Sequence, residues 1–66
     1  MDIKTSFNNE VTLNQFIDEL IKFRDNNNCG ELMVWVDGYC QPVSGIILEN
    51  ERETYSGITP PYINIY

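Results

Sequence analysis

The sequence predicts an α+β domain in which one amphipathic helix packs on a three-stranded antiparallel sheet. Two observations carry that reading. A helix-capping signature at Thr12 opens a stripe of apolar residues at helical spacing, and three later segments show the alternation or β-branched content of strands. The chain has 66 residues, room for one small domain spanning residues 1–66, and its hydrophobic content of 42% suits a packed core.

Residues 1–10 are mixed. Ile3, Thr5 and Phe7 alternate, which fits either a short edge strand or a flexible arm. Thr12-Leu13-Asn14-Gln15 fits a capping box, with Gln15 reaching back to Thr12, and Val11 and Phe16 stand at the positions of a hydrophobic staple. Leu13, Phe16, Ile17, Leu20, Ile21 and Phe23 then fall within an arc of about 160° on a helix. Asn14, Gln15, Asp18, Glu19 and Lys22 fill the other side, with Asp18 and Lys22 in the favourable order for an ion pair. Arg24, near the centre of the apolar arc but at the end of the helix, is expected to snorkel. Asn26-Asn27-Asn28 stops the helix, because asparagine tolerates the left-handed conformation and competes for backbone hydrogen bonds. The predicted helix is residues 13–26.

Residues 31–36, Glu31-Leu32-Met33-Val34-Trp35-Val36, read as a first strand, followed by Asp37-Gly38, a frequent turn pair. Residues 43–49 read as a second strand. Pro42 stands at its start, and Gly45 marks a bulge or a close approach. Residues 50–57 read as a polar connection, and residues 62–66 alternate strictly as a last strand.

Both sides of the first two strands are apolar. Leu32, Val34 and Val36 share one face and Met33 and Trp35 the other; Ile46 and Leu48 oppose Val43, Gly45 and Ile47 in the same way. One helix shields one face. The other is left with Met33, Trp35 and, depending on register, Ile47 or Ile46 with Leu48. An exposed patch of this kind marks an interaction site. The expected self-association residues are Met33, Trp35, Ile46 and Leu48, in a two-fold homodimer. Two alternatives would cover the patch within one chain: the arm carrying Ile3 and Phe7, or the loop of residues 55–61.

Composition narrows the chemistry. Ten acidic and four basic residues give a net charge of −6, and there is no histidine. Structural zinc lacks ligands, histidine-dependent catalysis lacks its base, and four scattered cations do not make a nucleic-acid stripe. Asp37 beside Gly38 reads as turn chemistry rather than a catalytic acid. Glu49, Glu51 and Glu53 lack the spacing of a calcium loop and read as a solvated cluster. No enzyme activity, cofactor or metal is expected. No apolar run has the roughly 20 residues of a membrane span, and no signal core is evident. The chain is therefore read as soluble and cytoplasmic, without membrane or direct nucleic-acid contacts. A strand between Cys29 and Cys40 would hold them beyond the roughly 7 Å limit for a disulfide, so both are expected as free thiols.

From residue 20 to residue 48 the chain resembles small bacteriophage and prophage accessory proteins. The matching residues are Val34-Trp35-Val36-Asp37-Gly38-Tyr39 and Val43-Ser44-Gly45-Ile46-Ile47-Leu48, where that group carries Val-x-Val-Asp-Gly-Tyr-like and Ile-x-x-Val-x-Leu-like segments. Its usual proline-containing connection is replaced here by Asn26-Asn27-Asn28-Cys29-Gly30. The resemblance implies a phage accessory role, in the host cytoplasm, and carries over no functional residues.

Two functional classes follow. The first is a small acidic phage-type protein that acts by protein–protein interaction and inhibits a host factor, in defence or nucleic-acid handling. Its partner would present a basic surface to Asp18, Glu19 and Asp25 on the helix, Glu49, Glu51 and Glu53 on the loop, and Tyr39. The second is an oligomeric small-molecule binder that sequesters a nucleotide signal, favoured by four tyrosines and opposed by the scarcity of arginine and lysine. The cysteine spacing and the lack of histidine predict that neither reductant nor chelator changes the melting temperature; thermal scans with each reagent check this.

Overall fold

The computed structural model describes residues 3–38 and 41–66. It contains one α-helix and six short strands in the order β1 (Ile3–Ser6), α1 (Leu13–Asn27), β2 (Met33–Val36), β3 (Gly45–Glu49), β4 (Arg52–Thr54), β5 (Gly57–Thr59) and β6 (Tyr62–Ile65). The α+β class is as the sequence predicts. The sheet differs from the prediction: it has four strands, in the order β1-β3-β6-β2, with a separate β4-β5 hairpin.

The helix forms where its signals stand. Thr12 is the N-cap, its hydroxyl accepts from the Gln15 N–H at 3.2 Å, and the Gln15 side chain accepts from the Thr12 N–H at 2.9 Å. Each bond satisfies a backbone donor that the first turn would otherwise leave open. At the other end Asn28 is left-handed, with φ 49° and ψ 48°, and its N–H returns to the Arg24 carbonyl. Asn27 donates its side-chain amide to the Phe23 carbonyl at 2.9 Å. The asparagine run thus ends the helix by the predicted mechanism. The expected Asp18–Lys22 pair does not form; Lys22 instead reaches Glu19 at 3.5 Å, one position nearer on the same side.

The antiparallel part of the sheet is β1-β3-β6. Strand β2 joins β6 in parallel, with Val34 beside Ile63 and Val36 beside Ile65. The two segments that read as a hairpin, β2 and β3, are therefore not neighbours. Eight residues separate Val36 from Gly45, where a tight hairpin uses about two to five. Strand β6 takes the place beside β3. The N-terminal segment is the edge strand, not a flap: it pairs with β3 on the far side from β2. Residues 50–57, expected as a plain connection, include β4 and the start of β5; Tyr55 and Ser56 make the turn, and the Thr54 hydroxyl donates to the Gly57 carbonyl at 2.9 Å.

Register assigns the two faces. Ile46 and Leu48 of β3 lie across from Ile65 and Ile63 of β6, on the face that also carries Val34 and Val36. This is the helix side: Phe23, Cys29, Ile46 and Ile63 form the buried core, with Phe7, Phe16, Leu20, Leu32 and Leu48 packed against it. A helix is about 10–12 Å across with its side chains and strands lie about 4.8 Å apart, so one helix shelters about two strands. Those are β3 and β6. Leu13, Ile17 and Ile21, which share the apolar arc, stay exposed.

The opposite face is less apolar than the first two strands suggest. Strand β6 contributes Tyr62 and Asn64, and β1 contributes Lys4 and Ser6, beside Ile47, Met33 and Trp35. Here Gly45 is a close approach. A Cβ on it would stand 2.6 Å from both the Thr5 carbonyl oxygen and the Tyr66 hydroxyl. Gly45→Ala therefore displaces the Tyr66 ring or the β1 backbone. A loss of about 1–3 kcal/mol is expected, in the range of overpacked sites, and urea denaturation of the two proteins measures it.

Candidate functional site

The four residues grouped by sequence as a self-association patch are split by the sheet. Ile46 is 0% exposed beneath the helix and Leu48 packs against the same core. Both are turned away from Met33 and Trp35, because the register sets the even-numbered side chains of β3 toward α1. Met33 and Trp35 point the other way and stay 72% and 55% exposed. Among the described residues no segment covers them: β1 lies at the far edge, and the β4-β5 hairpin reaches Tyr62 through Arg52, whose guanidinium donates to the Tyr62 hydroxyl at 3.2 Å.

What the structure puts beside Met33 and Trp35 is the rest of their own strand. Val34 is 59% exposed and Val36 73%, although both face the helix side. Strand β2 is thus open on both faces. It is also open along one edge. The Asp37 N–H donates to the Ile65 carbonyl at 2.7 Å, so the odd-numbered backbone groups of this segment turn to β6. In a parallel pair both groups of each residue point to one side and alternate along the strand. The N–H and C=O groups of Val34 and Val36 therefore point outward, away from the sheet.

Two features shape the surroundings. On one face the Trp35 indole stacks on the buried Tyr62 ring, with centroids 4.5 Å apart and planes at 25°. Such a pair contributes about 0.5–1.5 kcal/mol beyond area burial and holds the indole in place. On the other face a cleft of about 200 Å³ runs between α1 and β2, lined by Leu20, Ile21, Phe23, Cys29, Leu32 and Val34 among others, with Arg24 also on its wall. Arg24 lays its stem along the cleft and keeps its head exposed, where Nε meets Asp25 at 2.9 Å. Cys29 is a buried free thiol whose Sγ lies 3.8 Å from the Phe23 carbonyl oxygen.

The acidic residues do not converge on one point. Asp18 and Asp25 are exposed on α1, with Asp25 engaged by Arg24 and Glu19 by Lys22. Glu49 is half-buried at the end of β3, across from Tyr62, while Glu51 and Glu53 are exposed at and near β4. Tyr39 and Cys40 lie outside the described residues. Among the described residues no group of three or more His, Cys, Asp or Glu side chains is placed to hold a metal ion, and no helix is long and apolar enough to cross a membrane.

Compared with family models, with curated proteins and with solved structures, the chain matches none.

Sequence reasoning found Met33 and Trp35 and missed Val34 and Val36 as exposed residues. A signal for them exists. Edge strands are ordinarily guarded by a charge or a proline; β1 carries Lys4, whereas Met33-Val34-Trp35-Val36 carries neither. The split between the four grouped residues has a direct test. Ile46→Ala should cost about 2–5 kcal/mol, the usual range for a buried isoleucine. Met33→Ala should stay within about 0.5 kcal/mol, as for an exposed position. Chemical denaturation at low protein concentration separates the two.

Proposed function

We propose that this chain is a small acidic phage-type accessory protein that acts without catalysis, by protein–protein contact in the host cytoplasm, and inhibits a host factor in defence or nucleic-acid handling. The observation that carries this reading is the unguarded strand β2. Its four side chains are exposed, its outer backbone groups are free to pair, and its indole is held in place by Tyr62. A chain this small gains little by leaving that much apolar area in water. The surface is accounted for as a contact surface, with self-association through Met33 and Trp35 as its first use.

The acidic residues provide the second contact. Asp18, Glu19 and Asp25 lie on α1, and Glu49, Glu51 and Glu53 lie at the end of β3 and on the hairpin. With a net charge of −6 the chain attracts a basic partner from a distance and orients its approach. The phage assignment rests on the sequence resemblance described above. The alternative reading is an oligomer that sequesters a nucleotide signal. It draws on the Trp35–Tyr62 stack with the Arg52 guanidinium at its side, a base-stacking surface next to a cation. A single arginine is a small complement for a phosphate group.

Salt separates the two contacts by sign. Two copies of an acidic chain repel, so self-association should strengthen as ionic strength rises, while capture of a basic partner should weaken. The decisive variant is Trp35→Asp. It is expected to stay folded and to sediment as a monomer at concentrations where the wild type associates. The triple change Asp18→Lys, Glu19→Lys and Asp25→Lys is expected to lose the basic partner and keep self-association. A wild type that stays monomeric at high concentration, with Trp35 fluorescence typical of a buried indole, would overturn the reading.

A further inference from the structure

We infer that β2 docks edge to edge on β2 of a second copy, antiparallel, with Trp35 on the two-fold axis. The inference rests on the reading of β2 as a self-association surface and specifies its geometry.

Symmetry limits the choices. An antiparallel edge pair between identical chains needs a two-fold axis perpendicular to the sheet, which keeps each face continuous with itself. Directly opposed residues must then come from the same face, because successive side chains alternate. Four registers satisfy this, with Met33, Val34, Trp35 or Val36 on the axis, and two of them pair most of the strand Met33–Val36 with itself. In the first, Trp35 faces Trp35, Val34 faces Val36 and Met33 faces Asp37. In the second, Val34 faces itself, Met33 faces Trp35 and Leu32 faces Val36.

Backbone donors decide between them. The second register sets Val36 opposite Leu32, whose N–H already donates to the Cys29 carbonyl at 3.2 Å in the turn before the strand. The first sets Asp37 opposite Met33, in the same cross-strand row as Tyr62, whose hydroxyl is held by the Arg52 guanidinium. Arg52 is thus on the face that receives Asp37 of the second copy. The outward N–H and C=O groups belong to Val34 and Val36, which the first register makes mutual partners on both sides of the axis, forming about four hydrogen bonds.

Packing gives the same answer on the helix side. The cleft between α1 and β2 is open beyond Val34, and Ile21 on its helix wall is exposed. Val36 of the second copy would stand beside Val34 and close that side. The symmetric contact closes the second cleft, so both apolar grooves join one continuous layer beneath the two helices. A parallel edge pair would reverse the faces and set the helices on opposite sides of the sheet, leaving each cleft open. The second copy brings to this edge both a valine beside the cleft and an aspartate on the face that carries Arg52.

Cysteine cross-linking tests the register. In the first register Trp35 forms a non-hydrogen-bonded pair, with Cα atoms about 4.5 Å apart, inside the roughly 4.4–6.8 Å range for a disulfide. Trp35→Cys should give a linked dimer under mild oxidation, with the link between the two introduced cysteines identified by peptide mass mapping. Because that change removes the indole, a second experiment keeps it: an equal mixture of Met33→Cys and Asp37→Cys should form the mixed dimer in preference to either homodimer. Tyr55→Cys, at the exposed hairpin turn, sets the rate of random collision. Self-linking of Val34→Cys faster than Trp35→Cys, or no preference for the mixed dimer over the collision rate, would overturn the register while sedimentation of the wild type still shows association. Absence of association by sedimentation would overturn the contact surface itself and the inference with it.

Discussion

The structure depends on a mismatch of widths. One helix, about 10–12 Å across, lies on four strands spaced about 4.8 Å apart. Only the two middle strands are sheltered, and the core is accordingly narrow: Phe23 from the helix, Cys29 after it, Ile46 from β3 and Ile63 from β6. The outer strands are attached by backbone pairing more than by burial. On the β1 side the cost is small, since Lys4 and Ser6 tolerate water. On the β2 side it is larger, because every residue of the strand is apolar and exposed.

The helix was legible in the sequence because its signals are local. A capping box needs Thr12 and Gln15 at a fixed spacing, and an asparagine stop needs only the left-handed tolerance of Asn28. Gly45 was legible as a bulge or a close approach, and the choice between them was not local, since the atoms it avoids, on Thr5 and Tyr66, come from both ends of the chain. Strand order was not legible. The alternation in residues 62–66 says that a strand exists and which residues share a face, but not that β6 lies between β3 and β2. That choice is made by long-range burial: the strand with Ile63 and Ile65 on one face takes the sheltered position. Once β6 is inserted, Ile46 and Leu48 turn to the helix and part from Met33 and Trp35. The grouping of those four residues fails through register alone, since strands have a side-chain period of two.

The two edges of the sheet are managed differently. Strand β1 carries a lysine, a common device against unwanted pairing, and strand β2 carries none. The separate hairpin adds Arg52 to the second face, where it holds the Tyr62 hydroxyl and leaves Trp35 uncovered. Tyr62 is buried by its neighbours, and the indole stacked on it is kept at the open edge. A strand guarded on neither face and along neither its side chains nor its outer backbone is consistent with a surface retained for contact.

Charge sets the remaining constraint. The net charge of −6 acts against any contact between two copies, and it does so over a distance of about 8 Å at physiological ionic strength. Contact between copies is therefore least costly where the carboxylates are furthest away. The residues of β2 carry none, and the acidic side chains at its margins are Glu31 before it and Asp37 after it. A pairing that offsets those two from one another leaves the apolar centre of the strand free of repulsion. The helix carboxylates Asp18 and Asp25 are solvent-exposed, so a basic partner can meet them without competing for the strand. In the proposed reading, apolar pairing at one edge and charge on the helix would divide the surface of a very small domain between two kinds of contact.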